Sequence, residues 1–256
     1  MKGFRAVFKK EIYTFFASPI FYVVGTIFLI IAGYFFYTAV AYYSLISFQA
    51  AQNAFMGGTV NLNEMVIKPL MDDISVILLL IVPLLTMRLI AEEKKNGTME
   101  LLLTYPLRDL AILLGKYAAT LLVLVILLAV TLIYILLLSW VGEFEWGVVW
   151  AGYGGLVLMT AGFVALGLFV SALTQNQIIA AVLGFGALLL FWMIGWAGAL
   201  SGPVVGKVVN YLSILEHLDS FTKGVLDTRD IGYYLTFSAF FIFLTLRYLD
   251  SQKIRG

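Results

Sequence analysis

The sequence predicts an all-α, polytopic membrane protein with six transmembrane helices, and three observations lead there. The 256 residues are 62% hydrophobic and only 12% charged, against roughly 25% charged in an average soluble domain. That is more apolar surface than a soluble core can hide. The apolar residues fall in six long runs, and Lys and Arg collect on one side of the membrane that those runs define.

A spanning helix needs ~20 mostly apolar residues. The six runs are residues 20–41, 74–91, 110–139, 148–173, 178–200 and 231–249. The third is long enough to tilt or to project beyond the bilayer. The first begins only beyond Pro19, and no small-x-small cleavage site follows it. It therefore reads as a retained helix rather than a cleaved signal.

Six spans place both termini and the loops after spans two and four on one side. Of the 16 Lys and Arg, Lys2, Arg5, Lys9, Lys10, Arg88, Lys94, Lys95, Arg108, Lys116, Arg247, Lys253 and Arg255 fall there. By the positive-inside rule that side is the cytoplasm. The location expected is the cytoplasmic (inner) membrane of a bacterium or archaeon. Trp140, Trp146 and Trp150 flank the outer turn between spans three and four, where indoles favour the headgroup level.

Residues 1–19 precede the first span. Phe4, Phe8, Ile12, Phe15 and Phe16 recur at helical spacing, with Lys2, Arg5, Lys9 and Lys10 on the other face. This pattern predicts an amphipathic elbow helix lying on the inner surface, its cations near anionic headgroups. It serves as a simple anchor or also touches a cytoplasmic partner. Pro19 marks the bend into the first span.

The loop after span two is the most polar run in the chain: Arg88-Leu-Ile-Ala-Glu92-Glu93-Lys94-Lys95-Asn96-Gly97-Thr98-Met99-Glu100-Leu101-Leu102-Leu103-Thr104-Tyr105-Pro106. Gly97 permits the left-handed backbone that ends a helix. Thr98 can cap the next helix, and Glu100 falls in its first turn, where a carboxylate opposes the helix dipole. Met99 and Leu101 to Leu103 form a short apolar stretch, and Pro106 limits it. The loop is either a well-made turn between two spans or, over residues 92–105, a docking surface for a cytosolic partner.

The pattern Ala-Glu-Glu-x-x-x-Gly-Thr-x-Glu-Leu-Leu-Leu-Thr-x-Pro resembles the permease subunits of ABC-type exporters with short six-helix subunits. The outer run Leu215-Glu216-His217-Leu218-Asp219-Ser220-Phe221, with Gly224-Val225-Leu226-Asp227, is similar to the subgroup associated with gliding motility and nitrous-oxide-reductase maturation. The likeness covers the whole chain, read as a single permease domain; residues 42–73 depart from the pattern. It implies a dimer with a second permease subunit, identical or related, each resting on a cytoplasmic ABC ATPase that binds ATP and Mg. This chain itself would hold no cofactor. Glu92, Glu93, Gly97, Thr98, Glu100, Leu101 and Leu102 would form or flank a coupling helix in a cleft of the ATPase. The elbow residues Phe8, Ile12, Phe15 and Phe16 would approach it too. Closure of the ATPase pair would drive the permease from inward-facing to outward-facing.

The residues exclude other chemistries. A Walker motif needs Gly-x-x-x-x-Gly-Lys-Ser/Thr, and neither Gly115-Lys116 nor Gly206-Lys207 has the first Gly or the hydroxyl. There is no Cys, hence no disulfide or thiolate chemistry. A net charge of +1 offers nothing to nucleic acid. His217 is the only histidine; beside Glu216 and Asp219 it falls short of the three or four ligands a metal site gathers. A polar structural role is expected for it. Arg88, Lys116 and Arg247 sit near cytoplasmic span ends, where they are expected to reach the headgroups. The scarcity of deep ionisable groups argues against a proton path and for an apolar or amphipathic substrate. Residues 201–230 are too polar to span. Val204, Val205, Val208, Val209, Leu212, Leu215 and Leu218 predict an apolar stripe on an outer surface or re-entrant segment, acting as a gate or as passive packing. The glycines of span four suit close helix packing, within the subunit or toward a pathway or dimer interface. A reading of a different class is a membrane scaffold or assembly factor that uses the same loop to recruit a cytosolic protein without transport.

Overall fold

The computed structural model describes residues 2–52, 61–99, 109–200 and 202–255. Among these the regular structure is entirely helical. Helix α1 is Lys2–Ala17 and α2 is Pro19–Gln52. A π-helical turn, Asn63–Ile67, runs into α3, Lys68–Thr86, and α4, Arg88–Lys95, follows. Next come α5, Asp109–Leu138; α6, Trp146–Leu173; α7, Gln177–Leu200; α8, Pro203–Leu212; α9, Ile214–Thr222; and α10, Thr228–Arg255. Six helical stretches are long and apolar enough to cross a membrane: Pro19–Gln52, Asn63–Lys95, Asp109–Leu138, Trp146–Leu173, Gln177–Gly195 and Thr228–Gln252.

Helix α6 is the hub. It packs against α10, α3, α9, α7, α5 and α4, and its span and that of α3–α4 are the most enclosed. The reason lies in its glycines. A Cβ at Gly152 would come within 2.0 Å of Met71, at Gly155 within 2.6 Å of Phe221, and at Gly167 within 2.2 Å of Thr86. Each glycine receives a neighbour's side chain, so α3 and α9 lie closer to α6 than any larger residue permits. These contacts are within the subunit. Helices α2 and α7 are peripheral and turn large apolar side chains outward, among them Ile27, Tyr34, Tyr37, Val182 and Leu190.

Helix α2 overruns its expected end at residue 41 and continues to Gln52, 34 residues in all. The tyrosines and polar residues after Ala41 lower the hydropathy, yet no Pro or Gly interrupts them before Gly57. Much of the described part of segment 42–73, which lies between the first two expected spans, is therefore helix. The stripe expected along 204–218 is likewise broken in two. At Ser213 the backbone turns extended, at φ −74° and ψ 123°. Past that break Ile214, His217, Leu218 and Phe221 face inward while Leu212 is exposed. Helices α8 and α9, of 10 and 9 residues, are each only about 15 Å long, too short to span.

Contacts define two ends of the bundle. At one, α1, α4 and the start of α5 meet through Lys10, Glu11, Glu93 and Lys116, and Lys94 reaches the C-terminal ends of α6 and α10. At the other, Lys68 pairs with Asp219 and the Glu145 backbone N–H donates to Asn63 Oδ1.

Candidate functional site

The conspicuous loop leaves the bundle through α4, and three features fix α4 in place. The first is a joint. Pro83 sits inside α3 and lacks the N–H that would bond back one turn. Just beyond Met87, whose own dihedrals stay helical at φ −52° and ψ −34°, Ser171 of α6 enters the helical hydrogen-bond ladder. Its Oγ accepts the backbone N–H groups of Ile90 and Ala91, both at 3.1 Å, and donates to the Met87 carbonyl at 2.9 Å. One turn earlier on α6, Gly167 gives Thr86 its room.

The second feature is an ionic quartet of three buried groups, Glu11, Glu93 and Lys116, with Lys10 on its exposed rim. Lys116 Nζ lies 2.7 Å from Glu11 Oε1 and 2.9 Å from Glu93 Oε1. Lys10 Nζ lies 2.9 Å from the same Glu93 oxygen. Lys116 is 2% exposed. The expectation that it reaches the headgroups is thus corrected: its stem runs inward, because two carboxylates there offer what lipid cannot. Gly115 beside it brings α1 close, since a Cβ there would meet Val7 at 3.0 Å. The Gly-Lys pair serves helix packing and ion pairing. The two buried carboxylates share the buried Lys116, and the exposed Lys10 closes the cluster from the surface, which makes it neutral. At Lys10, burial alone would lower the pKa. The hydrogen bond and charge of Glu93, with Glu11 and Glu92, outweigh it and raise it above the ordinary lysine value.

The third feature is a set of end contacts. Lys94 Nζ donates to the Ala172 carbonyl in the last turn of α6 and lies 4.7 Å over the Tyr248 ring of α10. A cation at a helix C-terminus satisfies an otherwise orphaned carbonyl and opposes the dipole. Arg88 lies 4.5 Å over the ring of Phe15. A cavity of about 190 Å3 lies among α1, α4 and Lys116. Glu93 Oε2 and Arg88 Nη2, on two of its lining residues, are buried without a hydrogen-bond partner among the described residues.

The residues expected to act together now separate. Glu93 is buried within the quartet, whereas Glu92 is exposed. Gly97 has φ +68°, the left-handed conformation expected of it, and its N–H donates to the Lys94 carbonyl. The Thr98 hydroxyl donates back to the Glu93 carbonyl at 3.2 Å, closing α4. Met99, expected in an exposed apolar stretch, is 6% exposed and joins the core. Glu100, Leu101 and Leu102 lie outside the described residues. Along the elbow, Phe15 is fully buried, Ile12 packs against the core and Phe8 stacks on Phe4, while Phe16 is exposed and meets Phe21 edge-on. The inward face of α1 is Val7, Glu11 and Phe15, one residue per turn.

Sequence reasoning missed Glu11, the bonding of Ser171 to α4 and the pairing of Lys116; it marks Ser171 only as a mildly polar group inside the spans. Glu11 and Lys116 are 105 residues apart. A signal was present: Glu11 is the one acid in a basic helix, and Lys116 the one cation inside the third apolar run.

At the opposite end, His217 is buried. Its Nδ1 lies 2.7 Å from Asp230 Oδ1 and its Nε2 3.0 Å from the Tyr211 carbonyl oxygen. The ring stacks on Tyr233 at 3.9 Å. Its carboxylate partner is Asp230 rather than the neighbouring Glu216 or Asp219, and no cluster of metal-ligating groups occurs among the described residues. Asp219 instead bonds Lys68 and Lys223.

Comparison with known families places residues 5–248 in the ABC-2 family transporter protein group; no curated protein matches the chain. A six-span, all-helical bundle with the polar helix α4 anchored at one end, matched over nearly its whole length, belongs to the ABC-2 transporter family, as a multi-pass membrane subunit of the kind that works with an ABC ATPase.

Proposed function

We propose that this chain is the permease of an ATP-driven exporter moving an apolar or amphipathic substrate, and that α4 is its drive shaft. The observation that carries this reading is the anchoring of α4 at its joint, at the quartet and at the ends of α6 and α10. A push on residues 97–105 is then delivered to α1, α5, α6 and α10 together. Glu92, exposed, and Glu100 supply polar contacts to the ATPase; Leu101 and Leu102 supply apolar ones. Glu93 works inside, as a strut. The positive end of the bundle is the cytoplasmic one. Two such chains form the pathway, and ATP and Mg are bound by the ATPases. Alternating access follows as the ATPase pair closes and opens.

Crosslinking tagged protein in native membranes, followed by mass spectrometry, tests this. The expected result is an ABC ATPase that is lost when residues 92–104 are replaced and is weakened by Glu100→Arg with membrane insertion intact. Recovery of other cytosolic proteins and no ATPase, from well-expressed protein, would favour a scaffold without transport.

A further inference from the structure

Beside the first three turns of α10 lies a cavity of about 580 Å3, within the size range of small-molecule sites. Gly232 and Thr236, small and one turn apart, leave space that Tyr211, Tyr233, Phe237 and Phe240 line. A Cβ at Gly232 would meet nothing within 4 Å. Arg229 is the one charged residue lining it. Among the described residues its guanidinium has no ion pair: Asp227 accepts the Arg229 backbone N–H at 2.8 Å, and Asp230 is turned onto His217.

The aromatic lining is held rigid from behind. Tyr233 Oη donates to the Leu212 carbonyl at 2.9 Å, and its ring stacks on His217. Phe237 is packed by Phe191 and Phe241, with ring centroids at 5.2 and 4.8 Å. The buried His217–Asp230 pair thus braces the groove.

Its dimensions suit one ligand class. Arg229 stands in the first turn of α10, at the mouth of the span. Phe240 is eleven residues further, about 16 Å down the helix, which is about half of a ~30 Å hydrocarbon core. We propose that this groove binds one anionic phospholipid of the leaflet at that end of the bundle, its phosphate on Arg229 and an acyl chain along Gly232, Thr236 and Phe240. The site is independent of the transport reading.

The test is native mass spectrometry of the purified chain titrated with phosphatidylglycerol or phosphatidylcholine. Wild type should retain one phosphatidylglycerol per chain, with a preference of about fivefold over phosphatidylcholine, the scale of one cation at a lipid surface. Arg229→Gln should lose the preference and keep lipid, and Arg229→Lys should restore much of it. Thr236→Trp should displace the lipid at unchanged helicity by circular dichroism. An undiminished preference in Arg229→Gln overturns the proposal, as does full retention in Thr236→Trp. Loss of oligomeric state in Thr236→Trp, with lipid count unchanged, would instead assign this face to a second copy of the chain.

Discussion

At the scale of single residues, the quartet and the joint make sharp demands. Lys116→Ala leaves Glu11 without its closest cation and Glu93 with Lys10 alone. Breaking a buried pair from one side costs about 3–5 kcal/mol, so the thermal midpoint in detergent should fall well below that of Glu92→Ala, which changes an exposed side chain. Equal midpoints would remove the quartet as a strut. Ser171→Ala takes the acceptor from two buried amides and should cost about 1–3 kcal/mol per group left unsatisfied, read by the same melt. Asp219 sets a pH dependence. Burial alone would raise its pKa, but hydrogen bonds and charges from Lys223 and Lys68 outweigh this and hold the carboxyl below the ordinary value. A depressed folded pKa means that its stabilisation is complete above the unfolded value of about 3.9 and is lost as the pH falls through the folded one. Wild type should therefore melt above Asp219→Asn at pH 6, and the gap should close toward pH 3. A gap that persists in acid would mean the pairs are not the cause.

At the scale of elements, Gly97 controls direction. Its φ of +68° costs a residue with a Cβ about 1–2 kcal/mol. Gly97→Val should re-aim the chain beyond α4 and cut ATPase recovery several-fold, while Gly202→Ala, at φ −61° with open space around it, should leave it unchanged. The six spans were legible because lipid imposes length and apolarity on each one separately. The overrun of α2, the joint at Met87 and the break at Ser213 were not. Hydropathy records where a helix sits, whereas helix continuity depends on breakers and on partners far along the chain. Ser171 illustrates this: nothing near Ile90 in sequence announces the hydroxyl that completes its helix.

At the scale of the whole molecule, a rigid centre of α3, α4 and α6 is flanked by α2 and α7, which expose apolar faces. The proposed assembly predicts particles with two permease chains and two ATPases, a count that native mass measurement of the purified complex would give; a single permease chain per particle would contradict it. Of the candidate loop, residue types foretold the left-handed Gly97 that ends α4. The split between Glu92 and Glu93 was hidden. Two adjacent glutamates differ by about 100° around a helix axis, and only the packing decides which of them meets Lys116.

The joint at Met87 also has a history in time. Ile90 is synthesised 81 residues before Ser171, a delay of about 4–16 s at 5–20 residues per second. Throughout that interval the junction between α3 and α4 lacks the hydroxyl that bonds it, and Glu11 waits still longer for Lys116. The nascent chain thus carries its drive shaft into the membrane unfinished. Helix α6, arriving late at the centre, is what locks the earlier half, so ribosome-bound chains released before residue 171 should be the preferred prey of membrane quality-control proteases.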